Sequence, residues 1–282
     1  MNQNCQIDYS NPNFWKNIFP AENDKSYKAF KDRLQYGKYG EYCVMQRLQE
    51  IYPDIESYSY GDKKTEIDLI YTDENGNRKY GEVKTLSPFY KAECLDPYNS
   101  NRNKNGRPVF RPSIPWFTTK FWKDSKTGEL QPHTSPNWSL TYIDKYGVNN
   151  VNLYWYVPVH NNIFKDFLVR IPGNLFKKMA DLSDEVYNYK AYDRRAREFR
   201  TVKDYIDRNE PIPDDFIPRK YTLQKNDVYL SKPQNNYKPE YNRYYLACCI
   251  DSDGVDVLIN NKWIPGKTYI ETYADKMGLN LK

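Results

Sequence analysis

The sequence predicts an α/β chain with a central mixed sheet of about four or five strands flanked by helices, and three stretches predict it. From Glu41, the apolar residues Val44, Met45 and Leu48 recur at offsets of three, four and seven, which is one face of a helix. Residues 66–84 read as strand, Asn-Gly turn and strand. Residues 152–159, NLYWYVPV, are the clearest buried strand in the chain. These stretches place a core in residues 1–185, interrupted by a long basic and aromatic insertion at 87–136. An accessory α+β extension is expected at 186–282.

A chain of 282 residues can bury a substantial core. The mean hydropathy of -0.94 hints at disorder, but an aromatic content of 16% opposes it. The 28 Tyr and six Trp fit core packing, groove lining or stacking on bases. A bias toward codons for Asn, Lys, Tyr and Ile explains a large share of them. The net charge of +5 permits a nucleic-acid partner without requiring one. Five scattered Cys, odd in number and without C-x-x-C spacing, argue against zinc and against a secreted disulfide framework. Reduced thiols in a cytoplasm fit them best. No secretory leader pattern occurs, nor any apolar run of about 18 residues, so no membrane span is expected.

In chain order, Phe14, Trp15, Ile18 and Phe19 predict a short docking helix, and residues 26–51 a longer one ended by Tyr52-Pro53. Glu41 falls on the apolar stripe of that second helix. A core-facing acid needs a cation or donor nearby; the simpler alternative is an acid complementing a helix start after Gly40. Residues 55–60 read as a first strand. In the insertion, Arg102, Lys104, Arg107, Arg111, Lys120 and Lys123 alternate with Phe110, Trp116, Phe117, Phe121 and Trp122. Basic side chains meet phosphates and rings stack on bases, so these six cations are the candidate nucleic-acid contacts. An aromatic cover over the core is the competing reading. Residues 138–146 suit a helix or an irregular strand, and 167–171 a further strand. Asn174 is a helix cap after Pro172-Gly173. Residues 187–207 read as a charged helix, 211–239 as a linker, 244–259 as a hairpin about Asp251–Gly254, and 269–277 as a short helix.

The hairpin of residues 66–84 carries the chemistry. Side chains two apart on a strand share a face, so Glu82 and Lys84 point one way and Val83 the other. Residues 69–81 separate Asp68 from Glu82, a span that a hairpin closes to bring the two acids side by side. Glu66 shares the face of Asp68 and suits a strand edge as well as a supporting acid. Adjacent carboxylates repel unless a cation lies between them. An oxygen-only pair suits Mg²⁺, with Mn²⁺ as a substitute.

At these positions the sequence resembles the PD-(D/E)xK nuclease superfamily. Asp68 matches the first acid, after Ile67 where the family name has Pro. Glu82-Val83-Lys84 matches E-x-K, and Gly37-Lys38-Tyr39-Gly40-Glu41 resembles the G-x-x-G-E helix start of resolvase-like members. The resemblance implies a restriction-endonuclease-like core. It implies a Mg²⁺-dependent endonuclease acting on DNA, restriction-like or processing phage or mobile-element genomes, in a bacterial or phage-infected cytoplasm. It assigns Asp68, Glu82 and Glu41 to the metal, with the Val83 carbonyl as a further ligand, and assigns Lys84 to the attacking water. A homodimer would suit two-fold DNA sites. The alternative is a catalytically idle module on the same scaffold that binds nucleic acid or protein. With two His and no G-x-x-x-x-G-K-[ST], HNH-type and Walker-type chemistry are disfavoured.

Overall fold

A computed structural model describes residues 11–19, 26–57, 67–86, 114–115, 119–123, 130–134, 138–159, 165–208, 210, 212–213, 215–222, 228–231, 245–248 and 250–276. Helix α1 (Pro12–Ile18) begins under Asn11, whose side chain accepts from Asn13 N at 2.9 Å. Helix α2 (Tyr27–Gln49) begins under Ser26, which accepts from Ala29 N at 3.1 Å. Both caps satisfy amide groups that lack a helical partner. Strands β1 (Glu56–Ser57), β2 (Leu69–Thr72) and β3 (Arg78–Thr85) follow. The turn between β2 and β3 is held by the Asp73 carboxylate, which accepts from Asn75 N and Asn77 N, and by Gly76 at φ 78°.

The insertion region contributes β4 (Ile114–Pro115) and a pair, β5 (Thr119–Lys123) with β6 (Leu130–Thr134). Then come helix α3 (Trp138–Tyr146), β7 (Val151–Val159), β8 (Lys165–Pro172) and helix α4 (Gly173–Tyr187). The main sheet has the order β1-β2-β3-β7-β8-β13-β14, where β13 is Asp256–Ile259 and β14 is Lys262–Pro265. Every pairing is antiparallel except β3 with β7. A parallel pair needs a long crossover, and residues 86–150, with α3 at their end, supply it.

The alternation of β7 sorts the core into two layers. Tyr154 and Tyr156 pack with Val83, Leu168 and Leu258 beneath α1 and α2. Leu153, Trp155 and Val157 pack with Val169, Ile171 and Val257 on the opposite face, with Leu175 of α4. Trp15 of α1 is 1% exposed and meets Tyr36 edge-on at 5.2 Å, so the expected docking helix does dock.

Several expectations change. The sheet has seven strands because β13 and β14 add to β8, with Val257 opposite Val169, and because a two-residue β1 joins the edge. Residues 187–207 are not one helix. They form β9 (Lys190–Asp193), β10 (Glu198–Thr201) and helix α5 (Val202–Asp207). Asp193 Oδ1 accepts from Arg195 N at 2.8 Å, and this local bond favours a turn over helix propagation. Residues 244–259 are not a hairpin. Strand β12 (Tyr245–Cys248) pairs with β4 and with β11 (Val228–Ser231), while β13 lies inside the main sheet. Val257 and Leu258 are buried on opposite faces, which only a strand covered on both sides allows.

Residues 211–239 are more than a linker. Ile212, Phe216, Ile217 and Tyr221 are buried, α6 (Arg219–Thr222) forms there, and Phe216 meets Tyr205 edge-on at 4.9 Å. Of the first strand expected at 55–60, Glu56–Ser57 form β1, and residues 58–66, including Glu66, lie outside the described residues. Helix α7 (Gly266–Lys276) closes the described chain. No helix among the described residues is long and apolar enough to cross a membrane.

Candidate active site

The β2–β3 register pairs Leu69 with Gly81, so one step outward Asp68 stands opposite Glu82. Leu69 and Val83 point into the layer beneath α2, which leaves Asp68, Glu82 and Lys84 on the other face. Asp68 Oδ2 accepts from Val83 N at 2.7 Å, fixing the carboxylate against β3 just beyond the end of β2. Glu82 is 6% exposed, and the Lys84 ammonium forms an ion pair with its Oε1. The Lys84 side chain itself is 45% exposed, so it lies at the mouth of the site with its charge turned inward.

Helix α2 is seated against the end of β3 by two devices. Tyr36 Oη donates to the Leu86 carbonyl in a buried hydrogen bond. Gly40 lies so close to Thr85 that a Cβ there would stand 1.8 Å from Thr85 Oγ1. Only a residue without a Cβ permits this approach. The next residue is Glu41, and its charge acts on both Asp68 and Lys84. The Gly37–Glu41 segment lies within α2 rather than at the helix start that the resemblance implied, since α2 begins at Tyr27, in keeping with the helix read over residues 26–51. Glu41 therefore cannot serve as a complement to the helix amino end, an effect confined to the first turn.

The electrostatics follow from this crowding. Burial pushes the Asp68 carboxyl well above its ordinary value, and the charges of Glu82 and then Glu41 push it further. Burial pushes the Lys84 ammonium down, but attraction to Glu82 and Asp68 outweighs that, and the net direction is up. Tyr142 of α3 is 5% exposed and sits over the same face. Burial, followed by the Glu82 and Asp68 charges, raises its phenol. Sequence reading passed over Tyr142; its signal is its position on a helix between the E-x-K strand and the strand that pairs with it.

Among the described residues, no group of three or more His, Cys, Asp or Glu is poised as a complete metal-ligand set. Asp68 and Glu82 are adjacent, while Glu41 acts on Asp68 as a nearby charge. Of the predicted nucleic-acid contacts, Arg102, Lys104, Arg107 and Arg111 lie outside the described residues. Lys120 and Lys123 belong to β5, paired with β6 at His133 and Leu130. No family model, curated protein or solved structure matches the chain.

Proposed function

We propose that the chain is a Mg²⁺-dependent deoxyribonuclease with a restriction-endonuclease-like core, hydrolysing phosphodiester bonds within DNA. One observation carries the reading: two opposed carboxylates, Asp68 and Glu82, share a face with an ion-paired Lys84, with a third acid, Glu41, in electrostatic reach. The strand that Asp68 leads into pairs with the E-x-K strand, which in turn pairs with β7, and this order supports the reading.

The donor set suits the ion. Two carboxylates and the Val83 carbonyl are hard oxygen donors, and Mg²⁺ is commonly held by one or two carboxylates while keeping several waters. Burial and then the charges of Glu82 and Glu41 raise the Asp68 carboxyl, and a cation between the two acids would favour its ionised form. Asp68, Glu82 and the Val83 carbonyl would hold Mg²⁺, or Mn²⁺ in its place, with Glu41 steering the charge around them. When bound, the ion supplies Lewis acidity toward the phosphoryl oxygen and acidifies a water.

The chain's own groups do the rest. The Val83 amide orients Asp68 through its hydrogen bond. Lys84 enters as an ammonium and stabilises negative charge that develops on the phosphate. A cation between Glu82 and Asp68 would weaken the attractions that hold the Lys84 proton; with that proton released to solvent, the neutral amine would accept one from the attacking water.

Supercoiled plasmid incubated with wild type and with Lys84→Ala, with and without millimolar Mg²⁺, tests this. Wild type should nick in Mg²⁺ alone, and Lys84→Ala should lose at least about 100-fold in rate while binding DNA normally. A second reading, an idle binding module, draws on the closed Lys84–Glu82 ion pair. DNA binding without Mg²⁺-dependent cleavage would favour it.

A further inference from the structure

The β9–β10 hairpin presents two aromatic rings to solvent. Tyr192 is 52% and Phe199 65% exposed; they face each other across the strands and meet edge-on at 5.4 Å. Lys190 lies over the Phe199 ring at 6.0 Å. The connecting turn carries Arg194, Arg195 and Arg197, all exposed.

The acids of the hairpin are turned away. Asp193 is buried, accepting from Tyr205 Oη at 2.5 Å, and Glu198 Oε1 accepts from Arg200 and Arg208. Elsewhere nearby, basic side chains are matched: Lys177 with Asp181 and Lys203 with Asp207. The three turn arginines pair with no carboxylate among the described residues. Arg197 also holds φ at 55°, a left-handed conformation that Gly or Asn adopts more cheaply.

We propose that this hairpin is a docking element for single-stranded DNA, with Tyr192 and Phe199 as the stacking platform and Arg194, Arg195 and Arg197 as the phosphate clamp. Rings on a strand surface flanked by cations are what unpaired bases and their backbone recognise. Duplex offers phosphates but keeps its base faces stacked, so rings add little there. The choice of DNA over RNA rests on the nuclease reading; the stacking surface does not.

Fluorescence anisotropy with an oligo-dT probe in EDTA, where no cleavage occurs, tests the proposal. Tyr192→Ala and Phe199→Ala should each weaken binding about tenfold. Replacing all three turn arginines by Gln should make the slope of log affinity against log salt less negative by about two. Arg197→Gly should weaken binding while its melting temperature stays at or above that of wild type, since the left-handed backbone is relieved. Unchanged affinity in the ring variants, weakening of duplex binding alone, or a preference for an oligo-rU probe overturns the proposal. If hairpin-dependent dT binding survives but plasmid nicking never appears, only the nuclease reading falls.

Discussion

Asp68 is the residue in greatest electrostatic tension. Its carboxyl is raised by burial and by Glu82 and Glu41, so the folded protein holds a proton there at pH values where the unfolded chain has lost it. Stability from this group is therefore present at low pH and is lost as pH rises from the ordinary carboxylate range through the elevated folded value. Asp68→Asn should stabilise the metal-free protein at neutral pH and flatten that part of its pH–stability curve, measured by urea unfolding across pH 4 to 8. It should also remove Mg²⁺ affinity. Lys84 has the same sign in a higher pH window. Its raised value contributes stability that persists through neutral pH and is lost only as pH climbs above the ordinary lysine range. The types and spacing of these residues were legible in the sequence because a strand alternates faces with a fixed period. Tyr142 was not, since nothing local in α3 announces which acids it will cover.

At the scale of elements, α2 sets the site by how closely it meets β3. The Gly40–Thr85 approach leaves no room for a methyl group. Gly40→Ala should cost about 1–3 kcal/mol as overpacking, and by pushing Glu41 away should lower cleavage more than binding. Differential scanning calorimetry and the plasmid assay check the two effects. The helical stripe from Glu41 and the helix over residues 26–51 were legible, and only the start that the family resemblance put at Gly37–Glu41 was misplaced. The Ser26 cap lies 15 positions before Glu41, and Gly37 and Gly40 look like breakers until their contact is known. The β9–β10 hairpin was misread for a related reason. Its mixed charges suit a solvated helix, and the competing turn depends on one Asp193 side chain capturing the amides of Arg195 and Ala196.

In the whole molecule, the sheet crosses what the sequence suggested as a boundary near residue 186. Strand β13 joins β8, and Leu258 is 2% exposed in the layer beneath α1 and α2. Leu258→Ala should cost about 2–5 kcal/mol and shift a single unfolding transition as followed by tryptophan fluorescence. Two separated transitions would mean that β13 and β14 fold apart from the rest. This long-range pairing was invisible to local reading. Val257 and Leu258 look like half of a short hairpin until β8 is seen to need a neighbour. The strand run at 152–159 was legible because both of its faces are buried, which leaves an uninterrupted apolar signature.

The convergence of Asp68, Glu82, Lys84 and Glu41 on hydrolysis is tested most directly by the rate of plasmid nicking in Mg²⁺, wild type against Asp68→Asn from parallel preparations. The account predicts nicking by wild type that EDTA abolishes, and none by Asp68→Asn despite its intact fold. Equal nicking by the two proteins, or none by wild type in Mg²⁺ or Mn²⁺ on duplex or single-stranded DNA, would contradict it.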